Sequence, residues 1–258
     1  MGSLRGWVKR ALVSSAEKLI PRSFKDRLIR HYSIPDVDWS LQNARDNGFS
    51  PETIVDVGAY VGEWSRMAHR IFPEAEVLAV EPQRGKEKEL KALSTECKKV
   101  SYEIALLGAE PKQDVTFRLS GSNSKALSRE REESDNEQRD LVQHDMTTLD
   151  ALTRDTIFAQ PDLLKLDVQT YELEVLRGAS RILDYAPPEL ILMEVSLLDV
   201  GGANAPLFAD VVDFMDDHKY RLYDLCSFIR RPYDDALWQV DALFAHSTSD
   251  LVASTRWK

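Results

Sequence analysis

Two acidic residues and two glycines between residues 53 and 81 have the types and spacing of a nucleoside-binding site. The segment TIVDVGAYVGEWS predicts a strand, a turn containing Gly58 and Gly62, and the start of a helix. Glycines permit a tight turn and a close approach to a ligand, and a helix N-terminus offers unpaired N–H groups. Asp56, at the strand end, would attract an ammonium or sulfonium and repel a diphosphate. Glu81, after the next apolar run, is placed to accept both hydroxyls of a ribose.

This combination favours S-adenosylmethionine over a dinucleotide as the ligand. The spacing Gly-x-x-x-Gly does not match the Gly-x-Gly-x-x-Gly fingerprint, so the sequence predicts no pyrophosphate cradle. Taken singly, Asp56 would also suit the cap of a helix and Glu81 the cap of a turn. A dehydrogenase is therefore the alternative interpretation of this region.

Three further acids, Asp167, Glu194 and Asp241, are predicted to meet at one edge of a sheet. Asp167 and Glu194 follow neighbouring apolar runs, and ligands of open α/β sheets bind beyond the carboxyl ends of the strands. Asp241 lies early in a last strand that should run antiparallel, which brings its start to the same side. Crowded, sheltered carboxylates raise each other's pKa, which suits a general base. We expect Asp167, and next Glu194, to act as the base or to anchor the acceptor hydroxyl.

Other roles for these residues are open. The three carboxylates would also hold Mg²⁺ or another hard cation, although no local ligand motif indicates a metal site. Asp241 would equally cap a helix. His144 is an alternative base, and Lys165, inside a predicted strand, should pair with an acid or extend towards water. Aromatic walls suited to a sugar face would come from Tyr60, Trp64, Tyr171 and Trp238.

Apolar runs alternate with helical patterns through most of the chain, which predicts a parallel sheet covered by crossover helices. Strands are predicted at 53–57, 76–80, 100–106, 163–168 and 189–195, and helices at 62–72, 86–93, 149–158, 172–183 and 206–218. The last two strands, at 220–225 and 237–245, are joined without a helical pattern and should pair antiparallel. The predicted fold class is α/β, with a mostly parallel sheet and an antiparallel last strand.

The domain organisation follows from the places where this alternation of strands and helices changes. Residues 1–49 are predicted to form an N-terminal helical extension, and residues 50–258 the main domain. A polar, highly charged stretch interrupts that domain and predicts a lid insertion at 121–145. Residues 4–20 form an amphipathic pattern with a basic side, which would either dock on an anionic membrane surface or pack near the domain.

Composition excludes several classes of protein. With 258 residues, 43% hydrophobic and 29% charged, the chain is neither disordered nor collagen-like. Residues 1–31 carry eight basic and two acidic residues, so the net charge of −10 leaves about −16 for the remainder, which would repel nucleic acid. Cys97 and Cys226 lie far apart, which argues against a disulfide scaffold and favours the cytoplasm. A small neutral or cationic molecule is the expected partner.

In this context the sequence resembles the FkbM-type S-adenosylmethionine-dependent methyltransferases. Seven segments match in family order between about residues 50 and 246: IVDVGAYVGEWS, VLAVEP, YEIALLG, MTTLDAL, LLKLDVQTYELEVLRGA, ELILMEVSLL and LYDL…LWQVDALF. The resemblance implies a Rossmann-like class I methyltransferase fold. It also implies methylation of a hydroxyl, commonly on a sugar or a polyketide-type metabolite.

The resemblance also assigns the site residue by residue. It implies that S-adenosylmethionine contacts Asp56, Gly58, Ala59, Tyr60, Gly62, Glu81, Ala105 and Leu106, with Ser122 and Asn123 lining the cofactor or the lid. Tyr60 occupies a position where the family often has Asn, and Gln169 and Thr170 replace a usual Glu-Gly or Gln-Gly. These departures concern the detailed shape of the methionine pocket and of the acceptor side, and they leave the cofactor assignment unchanged. We predict an O-methyltransferase, with an N-methyltransferase or a non-catalytic cofactor-binding module as alternatives.

Overall fold

The computed structural model describes residues 35–119, 125–126, 141–200 and 205–257. The helices are α1 (Val37–Asp46), α2 (Glu63–Ile71), α3 (Glu87–Glu96), α4 (Leu149–Thr153), α5 (Glu172–Arg177), α6 (Ser180–Tyr185), α7 (Phe208–Asp217) and α8 (Asp250–Ala253). The strands are β1 (Thr53–Val57), β2 (Glu76–Val80), β3 (Val100–Glu103), β4 (Leu106–Leu107), β5 (Lys112–Arg118), β6 (Lys125–Ala126), β7 (Leu141–Thr147), β8 (Leu163–Leu166), β9 (Leu190–Ser196), β10 (Tyr220–Arg230) and β11 (Leu237–His246). Within these residues, no helix is both long and apolar enough to cross a membrane.

A seven-stranded sheet with the order β10-β11-β9-β8-β1-β2-β3 forms the centre of the fold. All neighbouring pairs are parallel except β9–β11 and β10–β11, which are antiparallel. This confirms the predicted α/β class with an antiparallel end. The chain order reverses between β1 and β8, and such a switch point leaves a crevice at the carboxyl ends of the strands.

Each face of the sheet is covered by its own group of helices, because alternate residues of a buried strand point to opposite faces. Helices α4 to α7 pack on one face, where Val55, Leu164 and Met193 project from their strands. Helices α1 to α3 cover the other face over Ile54 and Leu163. At the carboxyl end of this second face, the apolar pattern gives way to polar and charged side chains.

The first described helix, α1, belongs to this packing. Leu41 and Ala44 are fully buried, and the Ser40 hydroxyl donates a hydrogen bond of 2.7 Å to Asp224 in β10. This part of the predicted extension therefore shares the core of the main domain. Residues 1–34, which include the amphipathic pattern at 4–20, lie outside the described residues.

A second, four-stranded sheet with the order β4-β7-β5-β6 was not predicted from the sequence. It splits the strand predicted at 100–106 into β3 of the main sheet and β4, which pairs with β7 from Leu106 to Met146. Leu106, Met146 and Phe117 form its apolar cluster. Strand β7 contains the end of the predicted lid insertion at 121–145, of which residues 121–124 and 127–140 lie outside the described residues.

The single helix predicted at 172–183 is wrong, because the chain forms α5 and α6 with a break between them. A Cβ at Gly178 would lie 2.0 Å from the carbonyl oxygen of Gly108, so glycine is needed for this close approach. The Asp150 carboxylate then accepts a hydrogen bond of 2.7 Å from the backbone N–H of Arg181, in the first turn of α6. This side chain starts the second helix by satisfying a donor at its N-terminus.

Candidate active site

The glycine turn after β1 lies at the switch point between β1 and β8. Gly58 has a φ of +80°, and a Cβ there would lie 1.9 Å from the carbonyl oxygen of Asp167. Only glycine therefore allows the two strand ends to come this close. Gly62 also has a φ of +80°, but its Cβ would meet the Leu93 side chain of α3 at 2.4 Å. Gly62 thus serves the packing of α2 against α3.

A first cavity lies beside this turn, between the strand ends and the small sheet. Five of the predicted cofactor-binding residues line it, namely Gly58, Tyr60, Glu81, Ala105 and Leu106. Asp167, which was predicted to be catalytic, lines the same cavity, and Phe117 and Tyr171 add aromatic walls. Ala59 is buried against Ala79 and Leu90 and does not line it.

Glu81 is fixed by the backbone around it. Its Oε2 accepts a hydrogen bond of 2.7 Å from the Tyr60 N–H, and its Oε1 accepts one of 3.0 Å from the Gln83 N–H. Burial raises the pKa of the Glu81 carboxyl, against the lowering effect of these two donors. Each carboxylate oxygen has further lone-pair capacity, so the group is able to accept hydroxyl donors from a ligand.

Tyr60 has a φ of +52°, in the left-handed region. Asn adopts this conformation more readily than Tyr, which is consistent with the Asn that the family resemblance implies at this position. The Tyr60 hydroxyl accepts a hydrogen bond of 3.1 Å from Lys86, whose Nζ lies 4.2 Å from the centre of the ring. The Lys86 contact therefore holds the side chain at one wall of the cavity.

Asp56 does not face the cavity. Its side chain is fully buried, its Oδ2 accepts a hydrogen bond of 2.6 Å from Ser65, and its Oδ1 lies 2.9 Å from Lys165 Nζ. Lys165 also donates a hydrogen bond of 3.0 Å to the carbonyl of Gly58. The expectation that Asp56 attracts a sulfonium is corrected by this geometry, because its charge is paired inside the protein. The expectation that Lys165 pairs with an acid is confirmed.

The charge of Lys165 is supported by its neighbours. Burial lowers the pKa of its ammonium, but the nearby carboxylates of Asp56 and Asp167 raise it by more, so the net shift is upward. Asp167 Oδ2 lies 3.7 Å from the Lys165 nitrogen. Lys165 therefore links the strand that precedes the glycine turn to the carboxylate at the end of β8.

Asp167, Glu194 and Asp241 converge, as predicted, on one face of the sheet. Glu194 and Asp241 are directly opposite each other in the antiparallel pairing of β9 and β11. The Gln169 side-chain amide donates one hydrogen bond of 3.0 Å to Asp167 Oδ1 and another of 3.0 Å to Glu194 Oε2. One amide group thus joins two of the three acids.

Burial makes three carboxyls at this edge of the sheet, those of Glu194, Glu172 and Asp241, hold a proton more strongly. Burial, and then the charges of Asp167, Glu172 and Asp241, raise the pKa of Glu194 to about 8. Burial raises the pKa of Glu172 to about 7 and that of Asp241 to about 6. Asp167, by contrast, has 43% of its side chain exposed. The environment of a near-neutral base therefore belongs to Glu194, which sequence reasoning placed second to Asp167.

A second cavity, of about 410 Å³, lies on the other side of the Gln169 bridge. This volume is within the range of small-molecule sites, about 300–1,000 Å³. Gln169, Glu194, Ser196, Trp238 and Gln239 contribute to its walls. The bridge from Asp167 to Glu194 therefore separates two adjacent cavities at the same edge of the sheet.

The other residues singled out by the sequence lie elsewhere. Trp64 packs with the apolar core near Lys165, and the His144 ring packs edge-on against Phe117 in the small sheet, where burial lowers the pKa of the imidazole. Ser122 and Asn123 lie outside the described residues. Among the described side chains, no three His, Cys, Asp or Glu are grouped so that they could hold a metal ion.

Sequence reasoning did not single out Ser196 and Gln239, and it treated Gln169 only as a departure from the family pattern. The first two share a face with Glu194 and Asp241, because side chains two apart on a strand point the same way. The period-two rule applied to β9 and β11 would have found them. No sequence pattern identifies Gln169 in this way, because its two hydrogen bonds depend on the conformation of the turn after β8.

Comparisons with known proteins give the following matches. The family model of the methyltransferase FkbM domain matches residues 56–222. A solved structure of methyltransferase FkbM from Methylobacillus flagellatus KT is similar, with a TM-score of 0.48 and 18% identity, over 75% of this chain and 44% of that one. Precorrin-6y C5,15-methyltransferase from Geobacter metallireducens GS-15 has a TM-score of 0.43 and 12% identity, over 80% and 86% of the chains.

Ribosomal protein L11 methylase from Lactobacillus delbrueckii subsp. bulgaricus has a TM-score of 0.45 and 12% identity, over 80% of this chain and 76% of that one. A search of curated proteins found no match. The present chain spans 44% of the length of the Methylobacillus protein.

Proposed function

Since the chain belongs to the FkbM methyltransferase family, whose domain model covers residues 56–222, we propose that it methylates a hydroxyl of a small molecule with S-adenosylmethionine as the donor. The acceptor would be a saccharide or a polyketide-type metabolite. The observation that carries this proposal is the Gln169 amide, which joins Asp167 of the first cavity to Glu194 of the second. A donor site and an acceptor site then meet at this bridge.

The residues of the first cavity fit the proposed cofactor. The Glu81 carboxylate is held by backbone donors and is able to accept ribose hydroxyls, and Leu106 and Phe117 offer apolar contact to a purine. Glu81 and Asp167 are the carboxylates among the described residues that line this cavity, which favours a cationic ligand group. When bound, S-adenosylmethionine supplies an electrophilic methyl group on a sulfonium.

The second cavity supplies the base. Glu194 lines it and has a pKa of about 8, close to the value at which a general base works best near neutral pH. In the proposed reaction the acceptor oxygen forms a bond to the methyl carbon, the sulfur–carbon bond breaks, and the hydroxyl proton passes to the Glu194 carboxylate. The products are S-adenosylhomocysteine, the methyl ether and a proton released to water.

Two other residues keep this arrangement in place. Gln169 orients Asp167 and Glu194, because one planar amide donates to both. Lys165 holds Asp56 and the Gly58 carbonyl, so the glycine turn is fixed against β8. Such fixed alignment supplies much of the acceleration when two reactants must meet in line.

The test is a Glu194→Gln variant compared with the wild type. The wild type is screened with methyl-labelled cofactor against neutral sugars and hydroxylated metabolites, and labelled products are identified by mass. The variant should lose about 10²–10⁴-fold in kcat, the usual contribution of a general base. Its affinity for S-adenosylhomocysteine, measured by calorimetry, should match that of the wild type. Full turnover in the variant, or no nucleoside binding by the wild type, would contradict the proposal.

An amine acceptor is the second candidate, and the acidic surroundings of the second cavity favour it. Glu194 and Asp241 lie side by side there, and carboxylates stabilise an ammonium. The labelled product distinguishes the two candidates, since both gain the mass of one methyl group but only a methylamine remains basic. We also propose a cytoplasmic location, because Cys97 and Cys226 are both free thiols.

A further inference from the structure

Two buried polar side chains in the wall of the second cavity have unused hydrogen-bonding groups. Ser196 and Gln239 are opposite each other in the antiparallel pairing of β9 and β11, so both side chains lie on the same face of the sheet. The two residues are only 9% and 8% exposed. Within the described part of the chain, neither the Ser196 hydroxyl nor the Gln239 amide makes a hydrogen bond, and neither is among the fully enclosed polar atoms that lack a partner, so both groups open onto the cavity.

A ligand that fills the cavity displaces water from these groups, so a ligand that left them without hydrogen bonds would bind weakly. The Gln239 amide offers two N–H donors and a carbonyl acceptor, and the Ser196 hydroxyl both donates and accepts. A ligand hydroxyl, which also donates and accepts, matches both side chains at once. Ser196 and Gln239 therefore have the chemistry of a hydroxyl-binding subsite.

The position of this pair relative to Glu194 defines the ligand further. Ser196 follows Glu194 by two residues on β9, which corresponds to about 7 Å along an extended strand. Both residues line the same cavity. A ligand that reaches both must therefore carry two hydroxyls on different carbons, separated by several bonds.

The charge of the cavity sets a second condition on the ligand. The described residues that line it include no Lys, Arg or His, whereas Glu194 and Asp199 both line it and Asp241 lies opposite Glu194 in the pairing of β9 and β11. An anionic group buried here would meet no counter-charge, which is strongly unfavourable. Apolar contact comes from Trp238, Val200 and Ile229. The cavity is thus suited to a partly apolar ligand without anionic groups.

We propose that Ser196 and Gln239 form the subsite that anchors the methyl acceptor, and that the acceptor has at least two well-separated hydroxyls and no anionic group. One hydroxyl faces Glu194 and reacts, and the other binds Ser196 and Gln239. This inference rests on the proposed function, in which Glu194 takes the proton. Because the subsite holds the acceptor equally before and during the reaction, it should set KM and leave kcat unchanged.

The test measures binding to protein saturated with S-adenosylhomocysteine, by calorimetry. The probes are methyl glycosides of neutral hexoses and the corresponding uronic acids, which differ by one carboxylate. The neutral glycosides should bind the wild type, and the uronic acids should bind at least about tenfold more weakly. Gln239→Met and Ser196→Ala should each weaken binding of the neutral glycosides by about tenfold, the usual effect of leaving a ligand hydroxyl without its hydrogen-bond partner. Gln160→Met, at an exposed residue that does not line the cavity, is the matched control.

The outcomes separate this inference from the proposed function. If Gln239→Met and Ser196→Ala bind the neutral glycosides as tightly as the wild type does, or if the wild type binds none of them, the subsite is wrong and the methyltransferase proposal stands. Equal or tighter binding of uronic acids also overturns the subsite. Failure of the wild type to bind S-adenosylhomocysteine would instead contradict the proposed function. With a labelled acceptor, Gln239→Asn provides a second check, since it should raise KM while kcat stays within about twofold.

Discussion

Lys165 Nζ lies 2.9 Å from Asp56 Oδ1, and both side chains are enclosed beneath the glycine turn, with 7% and 0% of their surfaces exposed. The two residues are in register on neighbouring parallel strands, β1 and β8. Their charges therefore cancel inside the protein, and the acidic character of the cavities comes from other carboxylates. The pair holds the two strand ends between which the first cavity begins.

Removing the ammonium should destabilise the protein strongly. Lys165→Met leaves the Asp56 carboxylate buried without its counter-charge, and we expect the free energy of unfolding to fall by about 3–5 kcal/mol, as for other broken buried pairs. The double variant Lys165→Met/Asp56→Asn should recover part of this loss. Urea denaturation at neutral pH measures both. A loss below about 1 kcal/mol in the single variant would show that the pair is unimportant for stability.

The Gln169 bridge should control the pH dependence of methyl transfer. Its amide donates to the ionised form of Glu194 and so lowers the pKa of that carboxyl. In Gln169→Leu this donor is lost, and the limb of the pH–rate profile in which the rate rises with pH should move upward by about one pH unit. Rates measured from about pH 6 to 10 test this, with Gln160→Leu as the control. An unchanged or lower midpoint would contradict the assignment of Glu194 as the base.

Thr170 should be a source of backbone strain. Its φ is +79°, a conformation that is rare for β-branched residues. The preceding residue, Gln169, also has a positive φ, of +56°. Thr170→Gly removes the strain but adds freedom to the unfolded chain, and we expect a net stabilisation of about 1 kcal/mol. Thr95→Gly, inside helix α3, is the control and should destabilise by a similar amount. Thermal unfolding of both variants tests the difference, and a less stable Thr170→Gly would show that the turn is unstrained.

The buried acids should make the protein less stable as the pH rises. Folding raises the pKa of Glu194, Glu172 and Asp241 to about 8, 7 and 6. Between about pH 5 and 8 the folded chain therefore holds protons that the unfolded chain has released, and the stability that this contributes is lost as the pH passes the folded values. The variant Glu194→Gln/Asp241→Asn should show a shallower decline in the free energy of unfolding. An identical slope in urea titrations would contradict the raised pKa values.

Local signals in the sequence predicted a large part of this architecture. The alternation of apolar runs and helical patterns located β1, β2, β8 and β9, and the missing crossover helix predicted the antiparallel hairpin of β10 and β11. Glu81 could be placed because it directly follows an apolar run. The convergence of Asp167, Glu194 and Asp241 followed from strand direction alone.

The features that were missed depend on contacts between distant parts of the chain. Pairing of Leu106 with Met146 creates the small sheet, and no local pattern indicates such a partner. Asp56 was expected to face a ligand because it ends a strand, but the register with Lys165 turns its side chain into the interior. The apolar periodicity favoured one helix over residues 172–183, but the chain breaks at Gly178, because the backbone of Gly108 lies against Gly178.

The pairing of Gln239 with Ser196 has a consequence for how new specificities arise in this scaffold. In the proposed subsite, two paired strand positions bind the acceptor, and a one-residue slip of β11 towards Val240 would replace Gln239 by a side chain that packs in the core. Evolution of acceptor preference should therefore proceed by exchanging side chains at fixed rungs, while the hairpin tip around Tyr233 is free to change length.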